Sequence, residues 1–284
     1  MTQHTRGFIT ILTGMYSFQD CVHFLASVRK FYTEPIVVLI DQVPVFFHPV
    51  LKAFGNVHLL PAPADPNPVL ASRRAKVALY DLSPFDRTLY LDSDICLMQR
   101  VDELFEQLDE YDIMMAKDVQ SSIAKARNLV RNGYDILPTL QTLGFPVDDT
   151  TVQYHSGVLA FRRSEKVDHF FESYRRYFDL VIRHPEELKL KDQGAFAAAI
   201  ATSSLRTYTL PPTYNFMDKW KRSYGLEDDA TIKILHATYP YRPQYAKDHT
   251  RTLYTRIFDR LAHLLIPSQR ENPWRQRKLE HRPS

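Results

Sequence analysis

An uninterrupted apolar run from Pro35 to Ile40 constrains the fold of this chain more than any other feature. A strand with one face in water alternates apolar and polar side chains, so a strand apolar at every position must be covered on both faces. That environment is a parallel sheet held between two layers of helix, and the flanking segments fit it. Gly7 to Thr13 is a β-rich run closed by Gly14, and Phe18 to Tyr32 carries helical apolar spacing at Cys21, Phe24, Leu25 and Val28. A helix near Pro49 to Phe54 and a short strand from Val57 to Leu60 follow. The alternation predicts an α/β chain with a doubly wound, mostly parallel sheet and a ligand site at the C-terminal ends of its strands. Prolines at 61, 63, 66 and 68 then impose a stiff surface loop.

Downstream, Ser72 to Tyr80 reads as a helix, Arg87 to Leu91 as a strand, Val101 to Leu108 as a helix and Tyr111 to Met115 as a strand. Residues 117–153 mix helix and turn signals and read as an insertion that sets specificity. Val158 to Phe161 is a further strand, Ser164 to Ile182 a long helix, and Thr231 to Leu235 a strand. Asp192 stands at the N-cap position of a helix running to Ala201. From Thr250 to Leu265, Leu253, Ile257, Leu261 and Leu264 share one helical face. A core-packed helix is the leading expectation for that stripe, with a membrane-surface helix as the alternative. The expected organisation is one domain over 1–248, an amphipathic helix over 249–267 and a flexible basic tail over 268–284, where Arg270, Arg275, Arg277, Lys278 and Arg282 cluster.

With 284 residues, 44% of them hydrophobic, the chain can bury the core of one large domain. A net charge of +3 is too small to point to a nucleic-acid partner. Cys21 and Cys96 have no metal-type spacing, which favours a reduced compartment and leaves a single disulfide open. Met1 to Arg6 hold no signal-peptide apolar core, and no run approaches the roughly 20 apolar residues that cross a bilayer. The expectation is a cytoplasmic protein that the basic tail could hold peripherally at the inner membrane face.

Chemistry enters at Asp92-Ser93-Asp94, directly after the strand Arg87 to Leu91. Carboxylates at i and i+2 share a strand face, and a turn beyond the strand lets both converge on one cation. Such hard oxygen ligands suit Mg²⁺ or Mn²⁺, especially ions that also bind phosphate. A bare Asp-x-Asp is more often a solvated turn, so its surroundings decide. Lys76 lies sixteen positions upstream. Tyr154-His155-Ser156-Gly157-Val158, Asp192-Gln193-Gly194, Leu210 to Asn215 and His236 to Pro243 follow in order.

Taken in that order, these segments resemble the retaining GT-A glycosyltransferase family of glycogenin and the bacterial lipopolysaccharide galactosyl- and glucosyltransferases, over residues 7–243. The resemblance implies a GT-A, Rossmann-like fold in which 117–153 faces the acceptor. It implies a nucleoside-diphosphate sugar donor, with UDP-hexose expected, and Mn²⁺ or Mg²⁺ as cofactor. The acceptor, whether a glycan, a lipid-linked sugar or a protein, is not visible. By resemblance Asp92, Asp94 and His236 hold the metal. Asp192 and Gln193 stand beside the reacting carbon. Leu12, Thr13, Tyr16, Lys76, Ser93, His155, Ser156, Gly157 and Arg242 surround the donor, with Tyr16 placed to stack on the base. Arg242 takes the place of a phosphate-contacting lysine.

Three positions depart from the family pattern. His155 replaces an asparagine, Tyr239 replaces a glycine, and Thr13 stands where some relatives have aspartate. A non-catalytic sugar-nucleotide-binding protein is therefore an alternative. A phosphohydrolase of the haloacid dehalogenase kind is a weaker one, because three strands precede the acidic turn and Ile95-Cys96 rather than Gly-Thr follows it.

Overall fold

The structure, a computed structural model, describes residues 4–226 and 231–265. In chain order its strands are β1 (His4–Thr13), β2 (Ile36–Asp41), β3 (Val57–Pro61), β4 (Phe85–Leu91), β5 (Ile95–Leu97), β6 (Ile113–Ser122), β7 (Val152–Arg162), β8 (Thr207–Leu210) and β9 (Ile234–His236). Its helices are α1 (Phe18–Arg29), α2 (His48–Lys52), α3 (Pro68–Val77), α4 (Leu79–Leu82), α5 (Glu103–Glu106), α6 (Ile136–Thr142), α7 (Glu165–Arg183), α8 (Gln193–Ala201), α9 (Gln244–His249) and α10 (Leu253–Leu265).

Seven strands form the main sheet in the order β3-β2-β1-β4-β7-β6-β8. All its pairs are parallel except those made by β7, which runs against both β4 and β6. Strands β5 and β9 form a separate antiparallel pair. The apolar run of β2 is buried on both sides as its composition demands: Ile36 and Val38 enter one core layer, Val37 and Leu39 the other. Along β1, Phe8 and Leu12 join the layer with α1, while Ile9 and Ile11 join that of α3, α7 and α8. This is the doubly wound α/β architecture expected from the alternation.

Helix α7 shows how the layers are held. Ser164 caps it by accepting from the Val167 N–H at 3.3 Å, and Val167, Phe170, Phe171, Tyr174, Tyr177, Phe178 and Val181 form its buried stripe. At about 1.5–3 kcal/mol per buried side chain, that stripe outweighs a cap worth about 1 kcal/mol. Packing therefore fixes α7, and with it the Tyr174 hydroxyl.

Several boundaries differ from the sequence reading. Helix α3 begins at Pro68, inside the expected loop, because proline is well tolerated at a first helical position and Asn67 caps the turn by accepting from the Val69 N–H at 3.0 Å. Strand β7 starts at Val152 and β6 runs to Ser122, so the irregular segment is shorter than 117–153. The expectation of a core-packed stripe on the last helix is overturned. Leu253, Ile257 and Leu261 are 74%, 52% and 46% exposed, whereas Thr255, Phe258 and Ala262 are buried. Polar docking decides the rotation: Asp259 accepts from Gln19 at 3.0 Å and meets His23 at 2.9 Å, while Phe258 lies 5.8 Å from Phe18. The side chain of Leu264 and the tail over 268–284 lie outside the described residues. Both cysteines are free and buried, and no helix among the described residues is long and apolar enough to cross a membrane.

Candidate functional site

Strand β4 ends at Leu91, and the Asp92 N–H donates to the Gly157 carbonyl at 2.9 Å, tying the acidic turn to β7. The Ile95 N–H then donates to the Asp92 carbonyl at 3.1 Å, which bends the chain into β5. Register in the small sheet pairs Ile95 with His236, so the histidine arrives beside Asp94. His236 Nε2 lies 3.0 Å from Asp94 Oδ1 and 3.9 Å from Asp92 Oδ2. Its Nδ1 is 2.8 Å from Asn215 Oδ1. An amide oxygen can only accept, so Nδ1 carries the proton and Nε2 faces the carboxylates.

Lys76, 2% exposed, places Nζ 2.8 Å from Asp92 Oδ1, and the Tyr90 hydroxyl donates to the same oxygen. His155 accepts the Gly157 N–H on Nδ1 at 3.0 Å, and its ring meets that of His236 edge-on at 4.9 Å. Asp92, His155 and His236 can each offer a ligand atom within 4.8 Å of the others. Gly157 is the floor of this convergence. A Cβ there would stand 2.7 Å from Asp92 Oδ2, 2.7 Å from His236 Cε1 and 2.9 Å from His155 Cε1. The donor set of carboxylates and imidazoles fits a divalent cation.

Electrostatics keep the two carboxylates ionised, with Lys76 and His236 balancing their charge, so His236 must give up its extra proton to ligate. Burial alone would raise the Asp92 and Asp94 pKa values, yet both are lowered, Asp92 chiefly by Lys76 and His236 and Asp94 by His236 and Arg242. His236 is raised: burial opposes its charge, but Asp94 and Asp92 outweigh that. His155 is pushed down to about 3, by burial first and by His236 second, so it is neutral; with Nδ1 accepting from Gly157 its proton sits on Nε2, and it can ligate only through Nδ1 once that bond is released.

Beyond this cluster lies Asp192. It stands at the N-cap position of α8 as expected, but its side chain makes no capping bond. Instead Arg73 Nη1 meets Oδ1 at 2.9 Å, while Ser156 Oγ and the Tyr174 hydroxyl donate to Oδ2 at 2.6 and 2.7 Å. Against the penalty of burial, Arg73, Lys76 and these donors hold its carboxyl well below the usual range. Gln193 is clamped at both ends, accepting from Asn128 at 2.9 Å and donating to Asp118 at 3.1 Å.

A cavity of about 490 Å³ joins these groups, lined among others by Thr13, Tyr16, Lys76, Ser93, His155, Ser156, Asp192 and Gln193 with Asp92, Asp94 and His236. Of the expected residues, Gly157 lies beneath its wall, and Leu12 and Arg242 are not brought to it. Leu12 is fully buried in the opposite core layer; alternation along β1 presents Ile11 and Thr13 instead. Arg242 is 3% exposed behind Asp94, donating to the Ala237 and Ile95 carbonyls at 2.8 and 3.1 Å. The Thr13 hydroxyl donates to the Pro68 carbonyl at 2.8 Å. Tyr239 is turned out of the cleft: it stacks on His23 at 3.8 Å, and its hydroxyl donates to Asp259 at 2.9 Å. Sequence reasoning missed Arg73, Tyr90, Tyr174, Asn128 and Asp118. Arg73 alone had a signal, since it sits three residues before Lys76 on the same helix face.

No protein-family model matches the sequence, and no curated protein matches it. Solved structures do. The bifunctional glycosyltransferase WbbM superposes with a TM-score of 0.62 at 16% identity over 92% of this chain, which spans 52% of that protein. The galactosyltransferase LgtC, bound to donor and acceptor sugar analogues, gives 0.60 at 15% identity, covering 95% of this chain and 99% of that one. Mouse xyloside xylosyltransferase 1 gives 0.56 at 14% identity, over 84% of this chain and 99% of that one. At identities this low the likeness is one of architecture: this chain has the GT-A-like fold of these glycosyltransferases.

Proposed function

We propose that the chain transfers a hexose from a nucleoside-diphosphate sugar, UDP-hexose being the expected donor, to an acceptor with retention at the anomeric carbon. The observation that carries this reading is the convergence of Asp92, Asp94, His155 and His236 over Gly157, with Lys76 beside them, at the strand ends of a GT-A-like sheet. Asp92, Asp94 and His236 would hold the metal, with His155 close enough to join them if its Nδ1 gives up the Gly157 N–H. The ion supplies positive charge where the diphosphate leaves.

The chain's own residues do the rest. Lys76 adds a second cation toward the departing phosphate. Asp192, kept ionised by Arg73, presents a fixed acceptor for sugar hydroxyls. Gln193, its amide oriented by Asn128 and Asp118, faces the sugar's reacting side. Tyr16 offers a ring for the base at the end of β1. The exposed Leu253, Ile257 and Leu261, followed in sequence by the basic tail, support a peripheral contact with an anionic membrane face for a cytoplasmic enzyme.

A screen of nucleotide sugars tests the reading, because a ligand of the native state raises the unfolding temperature by mass action. The expected result is stabilisation by a UDP-sugar that requires Mn²⁺ or Mg²⁺. No stabilisation by any nucleotide sugar with Mn²⁺ or Mg²⁺ would refute it. Loss of anionic-liposome co-sedimentation on removing residues 268–284 tests the membrane contact; no binding by the full chain refutes it.

A further inference from the structure

A second, larger cavity of about 990 Å³ adjoins the cleft, and the two share His155 and Lys191 in their walls. Its chemistry is unlike that of the metal cluster. Arg131, Lys189, Lys191 and Lys219 line it, against the carboxylates of Asp118 and Glu186. Asp118 is engaged by Gln193; burial raises its pKa, while Lys191 and Lys219 oppose that rise, and the four cations still outnumber the two carboxylates. Among the described residues no carboxylate lies within ion-pair distance of Arg131, Lys189 or Lys219. Arg131 and Lys189 anchor instead on the main-chain carbonyls of Pro185 and Arg127.

Two aromatic rings stand in the same wall. Tyr134 and Trp220 are 44% and 39% exposed, and Lys219 Nζ lies 5.7 Å from the Trp220 ring centroid. An aromatic face is negative at its centre and attracts the polarised C–H face of a sugar ring. Clustered cations repel one another until an anion enters, and a guanidinium grips phosphate or carboxylate oxygens with two parallel bonds.

From this combination we infer that the adjoining cavity binds a saccharide bearing a phosphate or carboxylate group, and that this acidic sugar is the acceptor. The inference rests on the transferase reading above for the word acceptor, and on the cavity alone for the ligand class. The sugar ring lies against Trp220 or Tyr134, its acidic group faces Arg131, Lys189 and Lys219, and the shared wall at His155 opens toward the transferred hexose.

Saturation-transfer NMR on the full chain, with UDP and Mg²⁺ present, tests it using glucose, glucuronic acid, glucose 6-phosphate and inorganic phosphate as probes. The acidic sugars are expected to bind at least tenfold tighter than glucose, with the advantage shrinking as salt rises. The paired substitution Lys189→Gln with Lys219→Gln should remove that advantage while UDP still stabilises the protein, and Arg131→Gln provides an independent check. Equal binding of glucose and the acidic sugars, or a preference that survives both variants, overturns the inference. Inorganic phosphate binding as tightly as glucose 6-phosphate, with glucuronic acid inert, would assign the cations to free phosphate and also overturn it. If UDP fails to bind while the acidic preference persists, the cavity stands and the transferase reading falls.

Discussion

Replacing Gly157 with alanine tests the metal cluster at its narrowest point. The added Cβ would lie 2.7 Å from Asp92 Oδ2, 2.7 Å from His236 Cε1 and 2.9 Å from His155 Cε1. Ordinary contact between such atoms begins at about 3.5 Å, so the neighbours must retreat by roughly 0.6–0.8 Å. Metal–ligand distances tolerate about 0.2 Å, several times less. Manganese affinity should therefore fall by about tenfold to a hundredfold, the range found when the partners that orient metal ligands are lost. Fold stability should suffer less. Overpacking costs about 1–3 kcal/mol in a closed core, but the Asp92 and His236 side chains are 22% and 10% exposed and can swing toward the cleft. Gly157 is also not among the glycines with positive φ, so alanine fits its backbone. Calorimetric titration of Mn²⁺ gives the affinity, and urea unfolding of the same preparation gives the stability. A folded alanine variant that binds Mn²⁺ as tightly as the parent would refute the argument that the three side chains share one ion.

Other substitutions probe the same architecture. Asp94→Ala and Asp92→Ala should both abolish transfer, measured as release of free UDP with a sugar acceptor. They should differ in stability: the Asp94 side chain is 29% exposed and cheap to lose, whereas losing Asp92 strips the buried Lys76 of its nearest partner and should cost up to about 3 kcal/mol in urea unfolding. Tyr16→Ala should weaken UDP binding by about 1–3 kcal/mol in calorimetry, the range for base–aromatic stacking, and unchanged affinity would remove Tyr16 from the site. Asp20 has its pKa raised to about 7, by burial first, with Asp94 adding to the rise and Arg242 opposing it. The folded state therefore keeps a proton that the unfolded chain has released, and stability declines as pH rises from about 4 to about 7. Each pH unit by which folding delays that release is worth about 1.4 kcal/mol. Asp20→Asn should accordingly be more stable than the parent at pH 8 in metal-free buffer, with the gap closing near pH 4 in thermal unfolding. A gap independent of pH would contradict that origin.

How much of this was legible in the sequence follows from where the physics is local. The β2 run and the helical spacing of α1 and α7 announce themselves, because burial on one or two faces writes a period into the residues. The acidic turn and Lys76 were found by spacing within one strand–helix unit. Arg73, Tyr174 and Ser156 meet at Asp192 only after α3, α7, β7 and α8 have packed, and no local signal marks a tyrosine that will donate to a carboxylate 18 residues away. The rotation of α10 departs from the apolar spacing for the same reason. Four leucines and isoleucines on one face outweigh one phenylalanine in any periodicity count, yet the long-range partners of Asp259, namely Gln19, His23 and Tyr239, set the buried side.

Strand direction explains why a glycine from the middle of the chain lies under ligands from two distant turns. In a purely parallel sheet the edge beyond the C-terminal ends of the strands is built from segments that follow strands. Strand β7 runs the other way, so at that edge it presents its first half, and Leu91 pairs with Val158 one step before Asp92 reaches Gly157. The His155, Ser156 and Gly157 side of the site is thus supplied from within a paired strand. The β5–β9 pair completes it from the opposite direction. Because side chains alternate along a strand, a slip of one residue there would turn His236 away from Asp94. A short turn tied to β7, the body of β7 and the end of β9 therefore hold the candidate ligands, and backbone pairing on each side is the condition for placing a cation to within a few tenths of an ångström.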